Sequence, residues 1–282
     1  MSDAGRPQAA NGLELARADG VVTLTLTRPE RRNAVTAAGW ATMLEMLAAL
    51  PARGDRVLVV TGAGEDFCAG ADLGSDQVSE VSAAERMRIV GAACLALHRL
   101  PFPTVARVDG VAVGAGMNLA LGCDLVVATT RARFSQIFVK RGLSLDFGGS
   151  WILPRLVGLH RAKELAFLGE IISGAQAREF GLVHRLVLPE ALDAAVDELV
   201  AALRNGPPVA LAGTKALLNN AFDVTLQQAL DPLVEDEVKQ QIANMQALDD
   251  EARVQAVNLG LHDAQEAAQA FRDKRLPVFD GR

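Results

Sequence analysis

Residues Arg56-Val57-Leu58-Val59-Val60-Thr61 make a run of strand length that is apolar throughout its centre and opens straight into Gly62-Ala63-Gly64. A run without polar alternation suits a strand covered on both faces, and such strands belong to parallel sheets flanked by helices. The flanking sequence supplies those helices. Ala37 to Leu50 has helical character, with Thr36 as candidate N-cap and Pro51 as its stop; a second long helix fits Ala83 to Leu100, closed by Pro101 and Pro103. Further strands are predicted at Val21–Thr27, where apolar and hydroxyl residues alternate up to Arg28-Pro29, at Thr104–Val108, and at Asp124–Ala128. A short helical piece, Met117 to Leu121, follows Gly110–Gly116. Strands alternating with helices predict an α/β fold.

The character changes near residue 190. Gly206-Pro207-Pro208 separates an Ala-rich helical stretch from segments with no convincing strand, in which Leu226, Leu230, Leu233, Val234 and Val238 form an apolar stripe that Ala264–Phe271 continues. The expected organisation is a flexible tail over 1–12, a core over 13–205, and a region over 206–282 that is helical to the end and either caps the core or packs between subunits.

Composition narrows the partners. The net charge is −6 with acidic and basic residues interspersed, which argues against nucleic acid or an anionic membrane as the main partner. Three widely spaced cysteines, Cys68, Cys94 and Cys123, do not make a disulfide framework, and MSDAGRPQAANG has no apolar leader segment. The expected compartment is the cytoplasm. A P-loop, a third glycine after Gly114 and Gly116, an HExxH helix, zinc-spaced cysteines and a GxSxG elbow are all absent. No metal site is expected.

Two small-residue loops remain, Asp66-Phe67-Cys68-Ala69-Gly70-Ala71-Asp72-Leu73 and Gly110–Gly116, each following a predicted strand. Glycines there either permit tight turns and close packing or let backbone amides approach a ligand. A helix beginning at Ala115 or Gly116 leaves its first N–H groups without intrahelical acceptors, and such donors suit an oxygen that becomes negative.

These loops, together with Arg28-Pro29-Glu30-Arg31-Arg32-Asn33-Ala34, Cys123-Asp124-Leu125, Phe134-Ser135-Gln136, Gly148-Gly149-Ser150, Leu153–Gly158, Ala177–Val183 and Lys274–Phe279, resemble the crotonase superfamily, which includes enoyl-CoA hydratases and isomerases. The resemblance spans nearly the whole chain. It implies a spiral of ββα units, a C-terminal helical region that builds trimers or dimers of trimers, and coenzyme A entering as part of the substrate, with no separate cofactor. By position it implies oxyanion-hole amides at Ala71 and Ala115. It places Arg31, Ala34, Ala69, Asp72, Leu73 and Gly114 around the CoA thioester, with Arg31 a partner for a CoA phosphate and Asp72 alternatively orienting its own loop.

The two glutamates that activate water in the hydratases of that superfamily correspond here to Asn118 and Phe138, which the resemblance leaves as substrate-site residues without acid or base function. Asp146 matches an aspartate used by several isomerases, and one base suffices to move a double bond. The residues alone also allow Asp146 to be an N-cap for a helix over Gly148–Val157. The resulting expectation is an enoyl-CoA isomerase; the alternatives are a 2-enoyl-CoA hydratase with a non-standard acid and base, and an acyl-CoA binding protein without chemistry. Asp76, Glu80 and Glu85 are read as a solvated face, His98 as a surface or packing residue, and Lys215 as either a helix-start residue or a CoA-phosphate contact.

Overall fold

The computed structural model describes residues 8–51, 54–72, 74, 82–222 and 261–281. Leu73, Asp76, Glu80 and the stripe Leu226 to Val238 lie outside them. The described residues form two compact units: one runs to Leu100 and resumes over Thr104–Val200, the other joins Pro101–Pro103 to the residues from Ala201 onward.

The first unit is built on a seven-stranded sheet. Strands β1 (Gln8–Ala10), β2 (Leu13–Ala18) and β3 (Val21–Leu26) are antiparallel neighbours. Strands β4 (Val57–Gly62) and β5 (Thr104–Val108) then continue the sheet in parallel from β3. The expected tail over 1–12 is corrected at its inner end, because Gln8–Ala10 pairs with Leu13–Leu15. The turn between them is Asn11-Gly12, and the next hairpin turns on Asp19-Gly20; all four residues have positive φ, as two-residue type I′ turns require. Strand β4 lies between β3 and β5 with Val57–Val60 buried, as its uninterrupted apolar run predicts.

A second sheet has three short strands, β6 (Val111–Val113), β8 (Arg133–Ser135) and β9 (Ile172–Ser173), with β8 in the middle. Strand β6 occupies part of what the sequence presents as a plain loop. Strands β7 (Leu125–Thr129) and β10 (Arg185–Val187) complete the first sheet on its β5 side, both in parallel.

Helix α1 (Ala37–Ala48) begins where expected: the Thr36 hydroxyl accepts the Gly39 amide at 3.0 Å. Helix α2 (Ala83–His98) is capped by Ser82, whose hydroxyl accepts the Glu85 amide. Helix α3 (Ala115–Leu121) is wholly buried, and α4 (Gly149–Leu168), α5 (Gly174–Glu179) and α6 (Leu192–Asn205) follow. Among the described residues no helix is long and apolar enough to cross a membrane.

In the second unit are α7 (Pro208–Asn220) and α8 (His262–Asp273). Lys215 on α7 donates to the Phe102 carbonyl at 3.1 Å. The expectation of helix to the C-terminus is corrected: α8 stops at Lys274, which takes a left-handed conformation, and 275–281 are non-helical. Asp263 holds that terminal segment by accepting the Asp280 and Gly281 amides at 2.9 and 3.0 Å.

Candidate active site

The first loop is hung between two bridges. Cys68 pairs in parallel with Ala112 of β6, its amide donating to the Val111 carbonyl at 2.8 Å and its carbonyl accepting the Val113 amide at 3.0 Å. Ala71 pairs in parallel with Val35, but the bonds are made by its neighbours: Val35 donates to Gly70 and accepts from Asp72. In a parallel ladder the central residue then directs its own N–H to the opposite side. The Ala71 amide is thus aimed away from Val35.

The second loop meets the first at two glycines. Gly70 has φ +87°, and a Cβ there would stand 3.3 Å from the Ala115 nitrogen and 2.9 Å from the Val113 carbonyl oxygen; a Cβ on Gly116 would collide with the Cys68 carbonyl. Only bare backbone lets the loops approach this closely. Gly114, at φ +58°, is the N-cap of α3, so Ala115 occupies the first helical position and its N–H has no intrahelical acceptor.

The acid comes from a third direction. Asp146 lies just before α4, followed by Phe147 at φ +43° and Gly148 at φ +71°. A left-handed conformation is unusual for a bulky residue; Phe147 is held in it by full burial, with its ring 5.1 Å from that of Trp40. The N-cap of α4 is Gly148, with no side-chain capping bond, so the alternative of Asp146 as helix cap is set aside. Asp146 instead lines a cavity of about 280 Å³ together with Ala71, Trp40, Arg86, Met87 and Val90. Burial pushes its pKa up to about 6, and Oδ1 is shut off with no hydrogen-bond partner. Cys94 of α2 lies close by: a Cβ on Gly148 would reach within 2.6 Å of its Sγ. Burial, then the Asp146 charge, raises that thiol to about 11, so it is neutral at physiological pH.

Two of the expected substrate-site residues are bonded within the protein. Asn118 is fully buried, its Nδ2 donating to the Asp146 carbonyl at 2.8 Å and its Oδ1 accepting Gln136 Nε2 at 2.7 Å. Both polar ends of its side chain are taken up by protein groups. Asp72 is 4% exposed and ion-paired to Arg28 at 2.8 Å and Arg31 at 3.3 Å. Burial opposes its ionisation, but Arg28, the Gly74 amide and Arg31 together hold its carboxyl below the usual range; it orients the loop. Phe138 is buried, its ring edge 3.8 Å from where a Gly114 Cβ would sit, so it packs against the second loop.

Arg31 is 54% exposed on its side chain, and Ala34 and Ala69 are half-buried. Ala69 is tied to the Arg28–Ala34 segment through its amide bond to the Arg32 carbonyl. His98 stacks edge-on against Trp151 at 5.3 Å, a packing contact, and Glu85 bonds Arg88 at the surface.

Sequence reasoning missed Asn33 as an organiser. Its buried carboxamide accepts the Arg28 amide and donates to the Ala63 and Asp66 carbonyls, joining the Arg28–Ala34 segment to the turn after β4. Asp124 works similarly, accepting both the amide and hydroxyl of Thr104 at the start of β5. Asparagine tolerates left-handed backbone, which Asn33 adopts at φ +56°, but its partners are distant in sequence.

The assembled features are two backbone donors and one apolar-shielded carboxyl, with Ala71 and Asp146 lining the same cavity. A model of the family described as enoyl-CoA hydratase/isomerase matches residues 16–282. The chain belongs to the enoyl-CoA hydratase/isomerase family. Among relatives of this family protein, the 1,2-epoxyphenylacetyl-CoA isomerase of Escherichia coli (strain K12) is 38% identical over 270 residues, covering 93% of this chain and 96% of the relative. The crystal structure of an enoyl-CoA hydratase from Mycobacterium smegmatis superposes with a TM-score of 0.80 at 33% identity, covering 96% of this chain and 99% of that one. A Thermobifida fusca YX protein solved in complex with acetoacetyl-CoA gives a TM-score of 0.73 at 33% identity, with 83% and 95% coverage. The fold is that of the crotonase superfamily. Both isomerase and hydratase names occur among these relatives, so membership fixes the family and not the reaction.

Proposed function

We propose that this protein shifts a double bond in an enoyl-CoA by proton transfer through a thioester enolate. The observation that carries the reading is the placement of Asp146, buried and poised near neutrality, in one cavity with Ala71. The Ala71 and Ala115 amides hold the thioester oxygen. Asp146 takes the proton from the alpha carbon of a 3-enoyl-CoA, and the released electron pair moves into the thioester to give a dienolate whose oxygen the amides stabilise. Collapse of the dienolate moves the double bond to the 2,3 position as Asp146 returns the proton to the gamma carbon. No electrons are gained or lost, and no resident cofactor is needed.

A carboxyl with a pKa near 6 suits this shuttle, because it is largely ionised at neutral pH yet basic enough to take a proton. The residues at the two hydratase glutamate positions, Asn118 and Phe138, offer neither acid nor base, which weighs against water addition. Coenzyme A enters with the substrate, with Arg31, more than half exposed on its side chain, as the partner for a phosphate. The acetoacetyl-CoA complex of the Thermobifida fusca relative supports a thioester handle. A trimer or dimer of trimers is the proposed assembly, consistent with exposed Leu159, Phe167 and Ile171, and a cytoplasmic setting fits three buried thiols.

The test is Asp146→Ala assayed on a 3-enoyl-CoA. Turnover is expected to fall by about 10²–10⁴-fold with binding of a saturated acyl-CoA intact. Unchanged turnover rejects the reading. Hydration of 2-enoyl-CoA by the wild type would instead support a hydratase, and binding without turnover an idle acyl-CoA receptor.

A further inference from the structure

We infer that Asn118 is a positioning residue for the reaction, locking the turn that carries Asp146 onto the helix that supplies the Ala115 amide. The inference rests on the reading of Asp146 as the base.

Asn118 lies three residues after Ala115 on α3, one turn along the same buried helix, and its own amide bonds back to the Gly114 carbonyl at 3.1 Å. From that rigid base its side chain crosses to the Asp146 carbonyl at 2.8 Å. That carbonyl also accepts the Gly149 amide at 2.9 Å, so both of its lone pairs are engaged. The contact is built to be close: a Cβ on Gly149 would collide with the Asn118 carboxamide. Only glycine lets the start of α4 settle against it.

The orientation of the relay is forced by chemistry. The Asp146 carbonyl can only accept, so Asn118 must present its NH₂ group to it and its oxygen to Gln136. Gln136 must then present its own NH₂, as its Nε2 does at 2.7 Å. Gln136 is fully buried, and the residue before it, Ser135, accepts the Gly114 amide at 2.9 Å. The segment Ser135-Gln136 therefore grips α3 at its N-cap and, through Asn118, reaches the acid. A chain of direct bonds runs from the helix start that carries Ala115 to the backbone of Asp146.

A hydrogen bond made by a catalytic residue's backbone controls where its carboxyl points. Phe147 and Gly148 are both left-handed, so the turn is a conformation that needs outside support, and Asn118 gives that support from the α3 side. Shifting a base by an ångström relative to the oxygen-binding amides costs turnover while leaving binding energy nearly untouched.

Two variants test this. Asn118→Asp keeps the shape and the acceptor facing Gln136 but replaces the donor facing Asp146 with an oxygen; Asn118→Ala removes both bonds. Each is assayed at pH 8 for kcat and KM on a 3-enoyl-CoA, for Kd toward a saturated acyl-CoA, and for the pH profile of kcat. The expected result is a kcat lowered about 10–100-fold and KM and Kd within about threefold of wild type, with the acidic limb displaced downward in Asn118→Ala as water gains access to the loosened Asp146, and upward in Asn118→Asp, where the introduced carboxylate disfavours ionisation of Asp146. The charged or titratable neighbours that share this space, Arg86 and Cys94, are unaltered in both variants. The proposal is overturned if kcat stays within about twofold of wild type, if only KM and Kd change, or if both variants simply unfold, which would make Asn118 a fold-holding residue. Full activity in Asp146→Ala would remove the base reading and this inference with it. An inactive Asp146→Ala alongside fully active Asn118 variants would remove this inference alone.

Discussion

A β-carbon added to Gly70 would stand 3.3 Å from the backbone nitrogen of Ala115, so two loops more than forty residues apart in sequence share a space that no side chain can enter. The amides of Ala71 and Ala115 belong to those loops. Because both donors are backbone groups, ordinary side-chain substitution does not remove them.

Proline at 115 is the direct probe of that hole. It deletes the N–H, and proline is well tolerated at the first position of a helix, which is where Ala115 sits. Ala115→Pro is expected to lower kcat by about 10²–10³-fold, the usual cost of one oxyanion donor, and to lower thermal stability as well, because the ring Cδ enters the close approach to Gly70. Steady-state kinetics beside a melting curve separates the two effects.

The burial of Asp146 carries a stability cost that depends on pH. Folding raises its pKa to about 6, above the value of about 3.9 for an unfolded chain. Between those values the folded state holds more protons, so this group's stabilising contribution is complete below about pH 4 and is lost as pH rises through 6. Asp146→Asn removes the titration. The variant should match the wild type in acid and exceed it at pH 8 by roughly 1–2 kcal/mol, after a discount for solvent reaching the cavity. Chemical denaturation at about pH 4 and at about pH 8 reads this out, and a wild type favoured at the higher pH would contradict it.

Arg31 offers a different signature. More than half of its side chain is exposed, with one ion pair to Asp72, and a phosphate contact there would be charge-assisted. Arg31→Ala is expected to raise KM for CoA thioesters about 3–10-fold with kcat within about twofold, and added salt should shrink the difference. A kcat effect larger than the KM effect would place Arg31 elsewhere in the mechanism.

Much of the scaffold was legible because its signals are local. Val57–Val60 announces a central strand by having no polar face, Thr104–Val108 is bounded by prolines and Asp109-Gly110, and Thr36 caps α1 through a residue three positions away. The N-terminal hairpins carry local signals too, in Asn11-Gly12 and Asp19-Gly20, though the first of them falls within the expected tail over 1–12. Strands β8, β9 and β10 span only two or three residues, too short for any periodicity to declare itself. The C-terminal segment after Lys274 is held by Asp263, a contact that helical composition does not reveal.

The site divided in the same way. Small-residue loops showed where backbone is bare, and likeness to a family pointed to Asp146. Sequence could not show that Asn118 faces inward to Gln136 and the Asp146 carbonyl, or that Asp72 is spent on Arg28 and Arg31, because those partners come from separate elements. Asn118 looked like a lost glutamate; in the fold it is a bonded strut.

The measurement closest to the central claim is a panel of matched 2-enoyl- and 3-enoyl-CoA thioesters, each followed for both double-bond migration and water addition. The account predicts conversion of 3-enoyl-CoA to the 2-enoyl isomer with little 3-hydroxyacyl-CoA formed, and loss of that conversion in Asp146→Ala. Hydration of 2-enoyl-CoA with a kcat/KM equal to or above that of isomerisation, and insensitive to Asp146, would contradict it.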